Sequence, residues 1–334
     1  LGSLMYVVCG ETLYKITSGG TASTIGTILG SLPISAAANR KSPYQQVFIV
    51  ADNNYYVLEN DALSEAVTGA GSFNLPAGGH SVAFLDGYLI VGFADGTFFW
   101  SAINDALDFN ALDFAEAEAK PDNLVRVAVF ADRLFLFGEE SVEQWVNSGD
   151  ADLPFVPQQG SLIERGLLSK LAPVDMDNTI FWLDQKGFVV RAEGTIGRVV
   201  STFAVHKDIQ NTMKAGEQDL ITASTWARDG HEFYELHGPD WCWVYDASTQ
   251  QWWKRESEDK DTWRARFHIR VFNRDLVFSY DGAVVYEHLD TAMDEVGFNL
   301  VMKLRSATIE DDTAILEHNA LHLLMEMGVG SATD

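Results

Sequence analysis

Apolar and polar residues alternate along residues 124–149, LVRVAVFADRLFLFGEESVEQWVNSG, in three runs of strand length. The first two runs end in short segments, at residues 131–133 and 138–140, that contain Asp or Gly. These residue types favour tight turns, because Asp tolerates the left-handed backbone conformation and Gly adopts it without steric cost. The stretch therefore predicts a three-stranded antiparallel meander whose last strand contains Trp145.

The same hairpin pattern occurs seven times, at intervals of about 45 residues. Repeats of this length, with aromatic residues in many of the final strands, are typical of propeller blades. We therefore predict an all-β fold, a seven-bladed β-propeller, with Phe99, Trp145 and Trp243 buried between the blades. The final strands of the seven hairpins centre on Tyr14, Tyr56, Phe99, Trp145, Val189, Trp243 and Val285.

The longest interval, between the fifth and sixth hairpins, contains the sequence STFAVHKDIQNTMKAG at residues 201–216. Ser201 or Thr202 can cap a helix there, and Gly216 can end it. We predict one short inserted helix over residues 203–214, outside the blade sheets. The residues expected on its apolar face are Phe203, His206, Ile209 and Met213.

The hairpin pattern ends before the chain does. We assign residues 1–297 to the propeller. The strand-like segments FNLVMKLRSATIE and LHLLMEMGVG follow within residues 298–334. Either these segments close the ring by completing the first blade, or they are the start of a C-terminal β-rich domain, and the sequence leaves both alternatives open.

Two long connections separate successive hairpins, at residues 102–123 and 150–170. The first is acidic, with little alternation. In the second, Pro154 and Pro157 exclude a central strand, and IERGLLSK is compatible with a short helical turn. Long ordered connections are often functional, which makes both segments candidates for contacts with other molecules.

The charge balance limits the possible partners. The chain has 48 acidic and 23 basic residues, a formal net charge of −25, so it cannot grip DNA by broad neutralisation of phosphates. Its two cysteines, Cys9 and Cys242, lie in apolar strands and are expected to be buried free thiols, as in a protein made in a reducing cytoplasm. No stretch approaches the roughly 20 apolar residues of a membrane helix, so no membrane insertion is expected.

No catalytic, cofactor or metal site is predicted, because the chain lacks GxxxxGK, HExxH, CxxC and GxSxG motifs. His318 and His322 lie in a segment read as strands, where metal binding is not favoured. The aromatic run WCWVYDASTQQWWKRE is a possible glycan platform, although packing between blades is the favoured interpretation. The acidic run could form a carboxylate pair or a calcium site, but it lacks the alternating spacing and central Gly of a calcium loop, so a solvated acidic loop is the favoured interpretation. Its residues are Asp108, Asp113, Glu116 and Glu118.

Several segments resemble the packaged-DNA stabilisation proteins of short-tailed bacteriophages, also called tail nozzle or plug proteins. The resemblance covers most of residues 81–330. The first two thirds of that span are its most specific part, because the long run at residues 101–149 is not generic propeller sequence. The other segments are PFVPQQGSLIERGLLS, NTIFWLDQKGFVVRAEGTIGRVVSTFAVHKDIQ, GHEFYEL, WVYDASTQQWWKRES and LHLLMEMGVG.

This resemblance implies a non-enzymatic virion tail protein, made in the host cytoplasm, that forms a homohexameric ring below the portal and its adaptor. The ring continues the DNA channel, retains the packaged genome and releases it at infection. Tail fibre or spike proteins are further expected partners, and double-stranded DNA passes without sequence-specific binding. The alternative is a glycan-binding or glycan-processing propeller.

Acidic subunits repel one another, so a ring of them needs specific contacts between neighbours. We predict that the two long connections make these contacts. The alternative is that their apolar residues fold back on their own propeller. The residues predicted to contact a neighbouring subunit are Leu107, Phe109, Leu112, Phe114, Leu153, Phe155, Leu162 and Ile163.

Overall fold

Seven antiparallel sheets form the blades of a β-propeller in the computed structural model of this chain. The structure describes residues 4–30, 33–67, 73–117, 119–289, 291–301 and 303. The predicted all-β, seven-bladed fold is confirmed, and each of the seven predicted hairpins is present.

The first four blades follow one another along the chain, each with strands in sequential order. Blade 1 contains three described strands, and blades 2 to 4 contain four each. Their strands are β1 (Leu4–Cys9), β2 (Thr12–Thr17) and β3 (Ala22–Thr27); β4 (Ser35–Ala38), β5 (Gln46–Ala51), β6 (Asn54–Glu59) and β7 (Ala62–Ala66); β8 (Gly79–Leu85), β9 (Tyr88–Phe93), β10 (Thr97–Ser101) and β11 (Phe109–Glu116); and β12 (Leu124–Phe130), β13 (Arg133–Gly138), β14 (Val142–Asn147) and β15 (Phe155–Pro157).

Blades 5 and 6 have four strands, and blade 7 has three among the described residues. The helix α1 (Phe203–Ala215) lies in sequence between blades 5 and 6, and a two-stranded ribbon follows blade 7. The remaining strands are β16 (Val174–Met176), β17 (Thr179–Leu183), β18 (Val189–Glu193) and β19 (Ile196–Val199); β20 (Thr222–Arg228), β21 (His231–His237), β22 (Cys242–Asp246) and β23 (Gln251–Lys254); β24 (Ala265–Val271), β25 (Arg274–Ser279) and β26 (Val285–Glu287); and the ribbon β27 (Asp294–Glu295) and β28 (Phe298–Asn299).

Tight turns with positive φ angles join the hairpins, as their Asp-Gly and Asp-Asn sequences predict. Asp86 and Gly87, between β8 and β9, have φ angles of 50° and 97°. Asp229 and Gly230, between β20 and β21, have φ angles of 52° and 82°. Two consecutive positive φ angles match the twist of antiparallel strands, so these turns fix the hairpin register locally.

Aromatic and aliphatic side chains fill the spaces between successive blades. Phe98 of blade 3 meets Trp145 of blade 4 edge to face, with ring centroids 5.1 Å apart. Phe137 of blade 4 meets Trp182 of blade 5 in the same way at 5.8 Å. Such pairs add to the free energy gained by burying the rings. The core is therefore a series of interblade layers.

The three aromatic residues expected between blades have different surroundings. Trp145 is buried as predicted, whereas Phe99 and Trp243 are only partly buried. Phe99 stacks on Phe114 of its own blade at 5.3 Å. The indole N–H of Trp243 donates to Asp208 of α1 at 3.0 Å, so its polar edge stays close to the surface.

The helix and its end are confirmed, but its predicted apolar face is partly wrong. Gly216 ends α1 in the left-handed conformation, with φ of 75°. Ile209 is buried as expected, together with Val205 and Thr212. Phe203 is 81% exposed. The buried stripe includes Thr212 because the indole N–H of Trp241 donates to its hydroxyl at 2.9 Å.

Several other expectations need correction. Residues 109–116 are not a loose connection but β11, the outermost strand of blade 3, and β15 has the same place in blade 4. The segment IERGLLSK contains no helix; Ile163 forms an isolated bridge with Val142 instead. Cys242 is buried, but Cys9 is exposed at the end of β1.

Blade 1 lacks an innermost strand among its described residues. In the other blades, the first strands pack side by side, as with β4 and β8 or β20 and β24. The last strand of blade 1, β3, packs against β7, the last strand of blade 2. The strands β1 to β3 thus correspond to the second to fourth strands of a complete blade, and a ring-closing strand would fill the first position.

The domain boundary and the roles of residues 298–334 stay predictions. The ribbon of β27 and β28 folds back against the chain near blade 7, where the indole N–H of Trp263 donates to Glu295 at 2.6 Å. His318 and His322 lie outside the described residues.

We expect Trp145→Ala to lower the free energy of unfolding by about 3–5 kcal/mol, because it leaves a cavity beside Phe98 and removes a hydrogen bond to Glu143. Trp253→Ala is the matched control, since Trp253 is 40% exposed. Urea unfolding followed by circular dichroism measures both variants. Equal losses would show that Trp145 does not stabilise the interblade layer.

Candidate subunit-contact surface

The outer edges of blades 3 and 4 carry the exposed apolar residues of the two long connections. Leu107 precedes β11, and Leu112 and Phe114 lie on it. Leu153 lies just before β15. Leu112 is 80% exposed, and the other three residues are also exposed. The side chains of Leu112, Phe114 and Leu153 are therefore accessible to a second molecule.

Three of the eight predicted contact residues are instead buried in their own chain. Phe109 packs against Phe48 and Phe73, with ring centroids 5.5 Å away in each case. Phe155 meets Trp100 edge to face at 5.7 Å, and Ile163 is buried beside blades 4 and 5. These three residues complete the cores of the blades. This is the outcome expected if the apolar residues of the connections fold back on their own propeller.

The sequence signal did not separate the buried residues from the exposed ones. Leu162 belongs to neither the buried nor the exposed group, because its side chain is half-buried. On β11, a bulge shifts the register between the pairs of Phe99 and Ser101, so strict alternation does not hold along this strand. Whether the remaining residues contact a neighbouring subunit stays a prediction.

A groove of about 590 Å³ lies between the edges of the two blades. Its apolar part includes Phe114 and Leu153, which are exposed, and Trp145 and Phe155, which form its buried base. We call it the blade 3–4 groove. Exposed apolar residues on an edge strand are unusual in a free protein, since they invite pairing with another chain.

The carboxylates of Glu116 and Glu143 line this groove, and Asp113 lies close to Glu116 on the same strand, β11. Burial raises the pKa of Asp113, and the charges of Asp108 and Asp152 raise it further. Glu143, at the base, accepts hydrogen bonds from the indole N–H of Trp145 at 3.0 Å and from the backbone N–H of Ala119 at 2.8 Å. The groove is therefore apolar inside and acidic at its rim.

The acidic run does not assemble into a metal site in the part of the chain that is described. The one group of three potential ligands found among the described residues lies elsewhere, in blade 6. Glu118 itself is outside the described residues. The arrangement of Asp108 and Asp113 fits the interpretation as an acidic surface.

The aromatic run at residues 241–256 gives no support to the glycan alternative. Trp241 and Tyr245 are buried in the core next to α1. The indole N–H of Trp252 donates to the carbonyl of Val200 at 2.8 Å. Only Trp253 of these four residues is exposed, so the run packs blades and offers no row of stacking surfaces.

No helix among the described residues has the length and apolar character needed to cross a membrane.

The fold defines the class of this protein as a seven-bladed β-propeller. A phage stabilisation family model, described as the β-propeller of bacteriophage P22 Gp10, matches residues 2–292. The chain therefore belongs to this family of phage proteins, and the resemblance inferred from its sequence is confirmed. Family membership makes it a phage DNA-stabilisation protein and a virion component. No curated protein matches the chain by sequence.

Solved structures share the fold at low sequence identity. The WD40 β-propeller domain of Doa1 is 12% identical, with 85% of this chain and 88% of that chain covered and a TM-score of 0.53. A mitotic checkpoint complex chain is 12% identical, with 83% and 81% covered and a TM-score of 0.50. The dihydro-heme d1 dehydrogenase NirN is 11% identical, with 84% of this chain but only 59% of that chain covered and a TM-score of 0.53. These likenesses show the fold alone.

We expect Asp113→Asn to raise stability at neutral pH. The raised pKa means that the folded state holds the Asp113 proton more tightly than the unfolded state does, so ionisation costs stability. The gain should disappear as the pH falls through the raised pKa and below the ordinary value of 3.8. Thermal unfolding at neutral pH and at about pH 3, below the ordinary pKa of the carboxyl group, tests this.

Asp150→Asn is the matched control for that experiment. The Asp150 carboxylate accepts the N–H groups of Asp152 and Leu153, which lowers its pKa, so its contribution has the opposite sign. This variant should lose stability at neutral pH. A loss of stability in both variants at neutral pH would contradict the charge repulsion of Asp113 by Asp108 and Asp152.

Proposed function

We propose that this chain is a structural component of the phage tail, a nozzle or plug subunit that forms a ring continuing the DNA channel below the portal and adaptor. The observation that carries the proposal is the family match over residues 2–292. In the proposed role, the ring retains the packaged genome and lets it out at infection. No enzymatic step is part of this function.

The charge of the chain supports a channel that does not hold DNA. At −25 per chain, six copies carry a formal charge of about −150 before counter-ions bind. DNA–protein affinity depends on cations that replace the counter-ions of phosphates, and an acidic wall offers few of them. DNA would therefore slide past the subunits, with the portal and adaptor above and tail fibres or spikes as further partners.

Assembly must overcome the same charge. The blade 3–4 groove supplies apolar area for this purpose, since Phe114 and Leu153 are exposed in its lining. Leu112 lies outside the lining but is exposed on the same edge strand, β11. Its edge strands also present backbone groups to which a further strand can add. We propose that a neighbouring copy covers this groove in the ring.

Point substitutions are the appropriate test. Deleting residues 107–114 would remove Phe109 from the core of blades 2 and 3 together with most of β11, so failure to assemble would follow from unfolding alone. Leu112→Glu places a charge at an 80% exposed apolar site and leaves the core intact. Phe203→Glu is the control, because Phe203 is 81% exposed but lies on α1.

We expect Leu112→Glu to weaken ring assembly by about tenfold or more, equivalent to ~1.4 kcal/mol. Mass photometry counts rings and monomers of both variants, and circular dichroism checks their folding. Rings that form equally well in Leu112→Glu would place the contact elsewhere.

Salt provides an independent prediction. Counter-ions screen repulsion between exposed charges, with a Debye length of about 8 Å at physiological ionic strength. The unmodified chain should form rings more readily as salt rises, because its subunits repel one another and its proposed contacts are apolar. Rings that dissolve at high salt, again counted by mass photometry, would show that ionic contacts hold them together.

A further inference from the structure

A buried set of ligand-type side chains lies on the face of blade 6 that packs against blade 7. Glu235 and His237 are two residues apart on β21, so their side chains share one face of the sheet. Cys242 of β22 is the direct partner of His237 in the strand register. Cys242 packs with Trp263 and Ala265 of the next segment. All three ligand-type side chains are buried.

Their polar atoms converge on one point. Nε2 of His237 is 2.8 Å from Oε1 of Glu235 and 3.8 Å from Sγ of Cys242. The three ligand atoms all lie within 4.8 Å of one another. Nε2 of His268, on β24 of blade 7, is 3.2 Å from the same Oε1. Two strands of blade 6 and one strand of blade 7 thus meet at a single carboxylate oxygen.

These separations are close to the edges of a tetrahedral zinc site. With zinc–nitrogen and zinc–oxygen bonds of about 2.0–2.1 Å and zinc–sulfur bonds of about 2.3 Å, ligand atoms are about 3.3 Å apart for N···O and about 3.6 Å apart for N···S. The observed distances of 2.8, 3.2 and 3.8 Å differ from these values by a few tenths of an ångström. The ligand atoms of Glu235, His237 and Cys242 lie within 4.8 Å of one another, whereas His268 is not within that distance of all three, so its ring must turn toward them to complete the site.

The surroundings of Glu235 resemble those of a metal-binding carboxylate. Nη1 of Arg255 donates to Oε2 at 2.9 Å, which orients the group and leaves Oε1 directed at His237, His268 and Cys242. A fixed outer partner of this kind is common around metal ligands. Nδ1 of His237 is buried without a hydrogen-bond partner, so a zinc-bound His237 would need a water molecule to accept its Nδ1 proton.

We propose that Glu235, His237 and Cys242, with His268 as the fourth ligand, bind one zinc ion that joins blade 6 to blade 7. The donor set of one thiolate, two imidazoles and one carboxylate suits zinc, whereas calcium and magnesium prefer oxygen ligands alone. On binding, the thiol of Cys242 releases its proton to solvent, and the proton of each metal-bound imidazole resides on Nδ1. The ion would crosslink two adjacent blades near the C-terminal end of the propeller.

The proposal departs from the sequence prediction of no metal site, which relied on contiguous motifs. Here the ligands come from three strands, and their spacing of two, five and twenty-six residues matches no such motif. Metal-free packing is the competing account: in it, His237, His268 and Arg255 simply donate hydrogen bonds to the buried Glu235 carboxylate.

The test begins with the metal content of the full chain, purified after expression in zinc-supplemented medium and measured by plasma mass spectrometry. Variants Cys242→Ser and Glu235→Gln remove ligand atoms with little change in volume. Cys9→Ser is the matched control, since Cys9 is the exposed cysteine. We expect equimolar zinc in the unmodified chain and in Cys9→Ser. In the two ligand variants, zinc affinity should fall by at least about 10–100-fold, the loss that removing an outer-shell partner alone causes.

A second readout does not depend on the folding of the variants. The unmodified chain, stripped of metal with a chelator and titrated with Co²⁺, should develop a thiolate-to-cobalt charge-transfer band and the visible bands of a tetrahedral ion. Zinc should also raise the melting temperature of the stripped chain, because it binds the folded state. A chain that binds no zinc, or cobalt binding without a thiolate band, would overturn the site. Zinc that persists in Cys242→Ser, or is lost in Cys9→Ser, would do the same.

Discussion

The packing of each sheet against its two neighbours is the constraint on which this structure depends. A four-stranded sheet has two apolar faces and cannot bury either alone, so every blade is stabilised by the blades beside it. Phe98 against Trp145 and Phe137 against Trp182 are the clearest contacts of this kind. The inserted helix obeys the same constraint, since Val205 and Ile209 join the core between blades 5 and 6.

Because the repeat is local, much of the fold could be predicted from the sequence. Each hairpin carries its own turn residues, such as Asp86-Gly87, and its own alternation, so seven copies of one signal reinforced one another. The outermost strands carried a weaker signal. In β11 one face is solvated and the register shifts at a bulge, so residues 109–116 look like an acidic loop although Phe109 is buried in the core.

The candidate sites were harder to predict, because each depends on residues distant in the sequence. The blade 3–4 groove exists only because residues of β11 and β15 line one depression between two blades. Half-buried Leu162 looks no different in sequence from exposed Leu153. Likewise, Glu235 and His268 are more than thirty residues apart, and only the packing of blade 7 on blade 6 brings them together. Both the groove and the contact between Glu235 and His268 thus depend on how neighbouring blades pack, which the local sequence of one hairpin does not determine.

Net charge links these features to the proposed role in the tail. In the proposed role, an acidic chain that avoids DNA would also repel its own copies, and the apolar groove would specify one contact among repelling surfaces. The most direct measurement is an electron cryo-microscopy reconstruction of the native phage particle, with this propeller fitted into the tail. The account predicts six copies around the DNA channel below the portal and adaptor, with the groove of each copy covered by its neighbour. A propeller located away from the channel, or rings in which the blade 3–4 groove faces solvent, would contradict it.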